Sequence, residues 1–228
     1  SLPGKKSVDQ WLETFGSQID IFKDVSPLQL RELMLDSNVA SFGRDETIFV
    51  RKEPGTSLFA IAEGSVLVEI DKDDPSKTVP IPQGSIVGEV GLISGRKRGA
   101  TVRAASGAIV VEIPRNAALK LMSTVPAAKR EITRVSTERQ LLQMLGSGVR
   151  SEDIAEVLAS AEILSVKAGE PIITEGEANY DIFVIRQGSM VVQKDIGGKP
   201  VFLSYLPAGS YVGEMALIDG GRRTATVR

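Results

Sequence analysis

Residues 88–103 read GEVGLISGRKRGATVR, and residues 213–228 read GEMALIDGGRRTATVR. The match extends upstream: at an offset of 125, residues 82–103 align with 207–228, with 14 identities in 22 positions and no gap. At an offset of 124, ETIFVRKEPGTSLFAIAEGSVLV aligns with EPIITEGEANYDIFVIRQGSMVV. Glu46, Phe59, Ile61 and Gly64 then fall on Glu170, Phe183, Ile185 and Gly188. The one-residue slip lies in the variable loops 71–78 and 195–199. A period this long marks a duplicated domain, not a solenoid of small repeats. The chain must therefore build one architecture twice, and 228 residues suffice for two cores.

Each copy carries the same coarse pattern. SPLQLRELML places Ser26 as N-cap, Pro27 at the first helical position and leucines at helical spacing. RSEDIAEVLASA opens the second copy in the same way. Short runs rich in Val, Ile and Phe follow, punctuated by EPG, EG, DKDDPS, PQG and IGGKP, which predicts many short strands in a barrel or sandwich. TVRAASGAIVVEI supplies closing strands. Residues 115–145 then read as helix, with Asn116 as its cap and Pro126 as a break or kink. Ile132, Val135, Leu141, Leu142 and Leu145 form an apolar stripe along it, expected to serve lid and inter-domain packing. GSG at 146–148 is the expected boundary, giving domains 1–146 and 147–228. Arg228 aligns with Arg103, so the second domain is expected to be incomplete, without counterparts of residues 104–145.

What the chain lacks narrows its chemistry. With no cysteine there is no disulfide framework, thiolate nucleophile or cysteine metal site. With no histidine, Ser-His-Asp catalysis and the usual zinc sites are excluded; carboxylate or lysine chemistry remains open, but the menu for an enzyme is short, and no enzymatic activity, metal or cofactor is expected. A net charge of −2 argues against a general nucleic-acid or anionic-membrane partner. No apolar run approaches a membrane span, and SLPGKKSVDQ lacks a signal-peptide core; a soluble, cytoplasmic protein is expected. Trp11 and Tyr180 are read as core or rim packing, and DKDDPSK as a solvated loop.

An anionic ligand must then be caught locally, and the repeated segment has the means. A glycine before a short helical turn lets backbone approach a ligand, and the first N–H groups of that turn point outward. Their dipoles favour an anion. An arginine nine residues after the glutamate can return to that spot and offer two parallel donors to a phosphate. A carboxylate beside the anion makes sense if it accepts from ligand hydroxyls, as on a ribose, or pairs with the arginine in the empty site. Neither copy contains a Walker-type G-x-x-x-x-G-K-[ST] loop or a G-x-G-x-x-G dinucleotide turn.

The two segments closely resemble the phosphate-binding cassette of cyclic nucleotide-binding domains, F-G-E-L-A-L-x-x-x-x-x-R-A-A-T-V-R. The flanking strands are similar, glycine for glycine. The resemblance implies a mainly β fold with flanking helices: two tandem β-rolls of jelly-roll or cupin-like type, each with a short cassette helix and a hinged helical lid. It implies that Arg98 and Arg223 hold a cyclic phosphate and that Glu89 and Glu214 accept from the ribose 2′-hydroxyl. Backbone around Gly88, Val90, Gly91, Gly99 and Ala100 would complete the first cradle, and that around Gly213, Met215, Ala216, Thr224 and Ala225 the second. Leu92 and Leu217 would sense closure. Gly91 and Gly99 stand where the family usually has alanine, and Arg96-Lys97 where it often has Thr-Pro. The implied ligand is cAMP, with cGMP as the alternative that Thr224 permits. The implied partner is an effector outside this chain, such as a protein kinase catalytic subunit. The competing reading is an interaction module that keeps the fold without the ligand.

Overall fold

The computed structural model describes residues 7–145, 151–218 and 220–228, with side chains undescribed at 143–145, 151–153, 217 and 218. The chain divides into two compact units, Ser1–Ser136 and Thr137–Arg228. The division falls inside a helix; the GSG segment lies outside the described residues.

The first unit opens with α1 (Val8–Gln18), a 3-10 turn (Asp20–Phe22) and α2 (Pro27–Leu35). Ser26 caps α2 in a capping box with Gln29, and Pro27 occupies the first turn, as the sequence predicts. Eight strands follow: β1 (Asn38–Phe42), β2 (Thr47–Phe49), β3 (Leu58–Glu63), β4 (Ser65–Glu69), β5 (Thr78–Pro82), β6 (Ile86–Val87), β7 (Val102–Ala104) and β8 (Ala108–Ile113). The short helix α3 (Glu89–Ser94) connects β6 to β7. Two antiparallel sheets result, ordered β1-β8-β3-β6 and β2-β7-β4-β5.

The alternation along β3 explains how one strand serves two cores. Phe59 and Ile61 join Phe49, Val66, Val87, Val102 and Val110 between the sheets. Leu58, Ala60 and Ala62 face the helices instead, in a cluster with Trp11, Phe15, Ile21, Phe22 and Leu121. Trp11 is thus a core residue, its ring 5.2 Å from that of Phe15. Leu92 of α3 is fully buried in the helical cluster, which ties the cassette to the surrounding helices.

After β8 come α4 (Arg115–Thr124) and α5 (Pro126–Leu145), separated at Val125 where the proline ring and missing N–H end the first helix. Helix α4 starts at Arg115 with Pro114 before it, so Asn116 lies inside the first turn and is not the cap. Proline fixes its own φ and makes the entry without a side-chain hydrogen bond. On α5, Ile132 and Val135 join the helical cluster, Leu141 is buried and Leu142 half-buried; the Leu145 side chain is undescribed.

The second unit contains α6 (Ser151–Ser160), β9 (Phe183–Val184), β10 (Ser189–Ile196), β11 (Lys199–Pro207), β12 (Tyr211–Val212), α7 (Met215–Ile218) and β13 (Thr226–Val227). Its sheets are β11-β10-β13 and β12-β9, and the bridge Ile173–Val227 extends the first. These repeat β5-β4-β7-β2 and β6-β3 of the first unit in order. The slip between repeats is absorbed at the β10–β11 hairpin. A tight Gly197-Gly198 turn replaces the longer 70–77 loop, and the register shifts between Val192 and Gln193. Strand β9 is half-buried where β3 is largely buried; β3 pairs with both β8 and β6, and among the described residues β9 pairs with β12. No helix among the described residues is long and apolar enough to cross a membrane.

Candidate functional site

Both cassettes begin on a glycine in the left-handed region: Gly88 at φ 87° and Gly213 at φ 109°. Space as well as conformation demands glycine there. A Cβ on Gly88 would stand 2.6 Å from Arg98 Nη1 and 2.8 Å from the Ser57 carbonyl. One on Gly213 would stand 2.8 Å from Arg223 Nη1 and collide with the Asp181 carbonyl. Each arginine therefore lies directly against the cassette entry.

Arg98 is buried, at 5% exposure. Its Nη1 donates to the Ser57 carbonyl at 2.8 Å and, more weakly, to the Gly88 carbonyl at 3.4 Å. The guanidinium carbon lies 4.4 Å from the Phe49 ring centroid and 5.2 Å from that of Phe59, within cation–π range of both. Burial pushes this guanidinium below its ordinary pKa, and the carboxylates of Glu53, Glu112 and Glu89 oppose the fall. Glu89 opens α3 with its side chain buried. The backbone fixes the arginine as well: Arg98 N–H donates to the Glu53 carbonyl, and Lys52 N–H to the Arg98 carbonyl.

Arg223 is equally buried and repeats the arrangement. Its Nη1 donates to the Gly213 carbonyl at 3.0 Å, and Nη2 donates to the Asp181 carbonyl and to Asn179 Oδ1, each at 2.6 Å. At an offset of 124, Asp181 is the counterpart of Ser57. Equivalent carbonyls thus hold the arginine in both units. Arg223 N–H donates to the Glu177 carbonyl, as Arg98 does to Glu53. Two polar atoms here are buried without a hydrogen-bond partner among the described residues: Arg223 Nε and Glu214 Oε2. Such atoms are costly unless something satisfies them. The Nη hydrogen bonds of Arg223 go to neutral oxygens, not to Glu214.

The remaining expected positions surround these groups. Val90 and Ala100 are half-buried, Gly91 is buried and Gly99 exposed. Ala216 is buried, Ala225 half-buried, and Met215 and Thr224 are exposed; the Leu217 side chain is undescribed. The Ala216 N–H turns back onto the Gly213 carbonyl at 3.3 Å. Arg96 and Lys97 are exposed, so Arg98 is the buried cation of the RKR run. Tyr180 is exposed on the cassette rim, its ring against Gly221.

Comparison with known proteins identifies the family. The cyclic nucleotide-binding domain matches residues 39–125 and again 163–228. The chain belongs to that family. The cAMP-dependent protein kinase regulatory subunit of Mycosarcoma maydis is 28% identical over 91% of this chain and 40% of its own length. The cGMP-dependent protein kinase 2 of Homo sapiens is 23% identical over 90% of this chain and 26% of its own length. The chain thus spans less than half of these curated relatives. Among solved structures, the regulatory domain of Toxoplasma gondii PKA with cAMP is 20% identical, with a TM-score of 0.47, covering 98% of this chain and 86% of that one.

Within this cyclic nucleotide-binding fold, the groups that sequence reasoning missed are those holding the arginines: Ser57, Phe49, Phe59, Asn179 and Asp181. The carbonyl acceptors are invisible in principle, since any residue supplies a carbonyl. Asn179 had a signal, a polar side chain standing where the first repeat has Gly55.

Proposed function

We propose that this chain is a regulatory, non-catalytic module that senses a 3′,5′-cyclic nucleotide, cAMP in preference to cGMP. The cytoplasm is its proposed setting. Arg98 and Arg223 receive the phosphate, Glu89 and Glu214 the ribose, and the cassette backbone around Gly88–Gly91, Gly99–Ala100, Gly213–Ala216 and Thr224–Ala225 closes around the ligand. The observation that carries this reading is the second cassette. It buries an arginine Nε and a glutamate Oε2 without partners among the described residues, a donor for an anion and an acceptor for a hydroxyl in one motif. The first cassette supports it by repeating the arginine's setting.

Binding moves an effector only through different affinities for two conformations. Helices α4 and α5 follow the first barrel directly and are the proposed lid. The proposed partner is a protein kinase catalytic subunit outside this chain, a class suggested by the regulatory relatives. Isothermal titration of the full chain with cAMP and cGMP tests the reading. Micromolar binding with two sites is expected, one site lost in Arg98→Lys, the other in Arg223→Lys, and both in the double variant. No heat from the wild-type chain at millimolar ligand refutes it and leaves the non-binding interaction module.

A further inference from the structure

We propose that Asn179 is a positioning residue of the second phosphate site, holding Arg223 in place through an uncharged acceptor. The inference rests on the cyclic-nucleotide reading of that site.

Asn179 Oδ1 accepts from Arg223 Nη2 at 2.6 Å and from the backbone N–H of Asp181 at 2.7 Å. Its own N–H donates to the Gly221 carbonyl at 2.9 Å. The carboxamide oxygen is thus anchored to the strand entry, and the residue's backbone to the cassette loop, before the side chain meets the arginine. The Asp181 carbonyl takes the other hydrogen of Nη2, and the Gly213 carbonyl takes one of Nη1. A guanidinium has five N–H donors. Three are committed, which leaves Nε–H, buried and without a partner among the described residues, and one hydrogen of Nη1.

Every committed acceptor is neutral. The guanidinium is oriented at three points yet keeps its whole charge for an anion. A carboxylate at the same place would orient the arginine and cancel much of that charge. The first site works otherwise. Its counterpart residue is Gly55, where a Cβ would already stand 2.9 Å from Arg98 Nε, so no side chain fits there unless Arg98 moves. Two aromatic rings lie within cation–π range of Arg98 instead. Equivalent carbonyls hold both arginines, and the side-chain acceptor Asn179 belongs to the second alone.

Arginine-selective nitrogen NMR of the ligand-free full chain tests the role directly. In the wild type the Arg223 Nη2 protons should exchange slowly and give a resolved signal. Asn179→Ala should collapse that signal and Asn179→Asp restore it, which a loss of general loop stability would not do. Titrating cAMP while following the Arg223 Nε–H gives the affinity of this site alone. Asn179→Ala should weaken it about fivefold to tenfold, ~1–1.4 kcal/mol. Asn179→Asp should weaken it too, with the signal retained, because position is kept and charge is lost. An unchanged Nη2 signal or unchanged affinity in Asn179→Ala overturns the proposal, as does wild-type affinity in Asn179→Asp. If the wild-type site takes no cAMP while the Nη2 signals behave as stated, the ligand reading falls and the positioning role stands.

Discussion

Replacing Gly91 and Gly99 with alanine, one at a time, should move stability in opposite directions. By family pattern the two substitutions look alike, since alanine is usual at both. The structure separates them. A Cβ on Gly91 would stand 2.9 Å from the Gly55 carbonyl, 3.4 Å from the Arg96 carbonyl and 3.5 Å from Arg98 Nη1. The first of these is backbone, so the 52–57 loop or α3 must move. Overpacking of this kind costs ~1–3 kcal/mol. The better helix propensity of alanine within α3 returns about 1 kcal/mol, so Gly91→Ala should be net destabilising by about 1 kcal/mol. At Gly99 a Cβ meets nothing within 4 Å and φ is not in the left-handed region. There alanine only restricts the unfolded chain and should stabilise by ~0.4–1 kcal/mol. Thermal unfolding followed by circular dichroism, with urea titration as a second measure, resolves shifts of a few degrees of opposite sign. If Gly91→Ala stabilises as much as Gly99→Ala, the close approach of the Gly55 carbonyl to the cassette is wrong. The account of Arg98 as an arginine pressed between that loop and α3 then fails with it.

Two further outcomes follow from single contacts. Phe49→Leu removes the ring 4.4 Å from the Arg98 guanidinium while keeping an apolar side chain in the core. A double-mutant cycle with Arg98→Met in urea titrations should give a coupling of about 0.5–2 kcal/mol, and a coupling near zero would deny the cation–π contact. Asp71 titrates below the ordinary carboxylate range because the Asp73 backbone N–H and then the Lys77 ammonium favour its charged form. A lowered folded-state pKa means that its stabilisation is present above the unfolded value, about 3.9, and is lost as pH falls through the folded value. Carboxyl NMR should find that lowered midpoint in the wild type, moved upward in Lys77→Ala; an unshifted midpoint would remove the pair.

The tandem fold was legible because duplication supplied its own control. A glycine, glutamate and arginine at fixed spacing are weak alone, but two copies in one register exclude chance. The capping box at Ser26 and the break at Pro126 were legible for a different reason: both are local backbone rules that need no partner. Asn116 failed as a cap because a neighbouring proline made the turn instead, a choice that propensity does not rank. The surroundings of the arginines were not legible. Phe49 and Phe59 are strand residues whose alternation announces a barrel core, and nothing in that pattern says that a cation will lie across their rings. The Gly55 carbonyl that forbids alanine at Gly91 belongs to backbone, and sequence carries no direct record of where a carbonyl points.

Comparing the repeats separates what the fold requires from what each site has chosen. The carbonyls of Ser57 and Gly88 reappear as those of Asp181 and Gly213, and left-handed glycine opens both cassettes. Those features place the arginine and belong to the architecture. The differences lie in what surrounds it. Phe49 becomes Ile173, Gly55 becomes Asn179 and Gly99 becomes Thr224. Arg98 lies against two aromatic rings, whereas Arg223 gains the side-chain acceptor Asn179. Divergence after duplication has therefore acted on the side chains around the arginine and left its position alone.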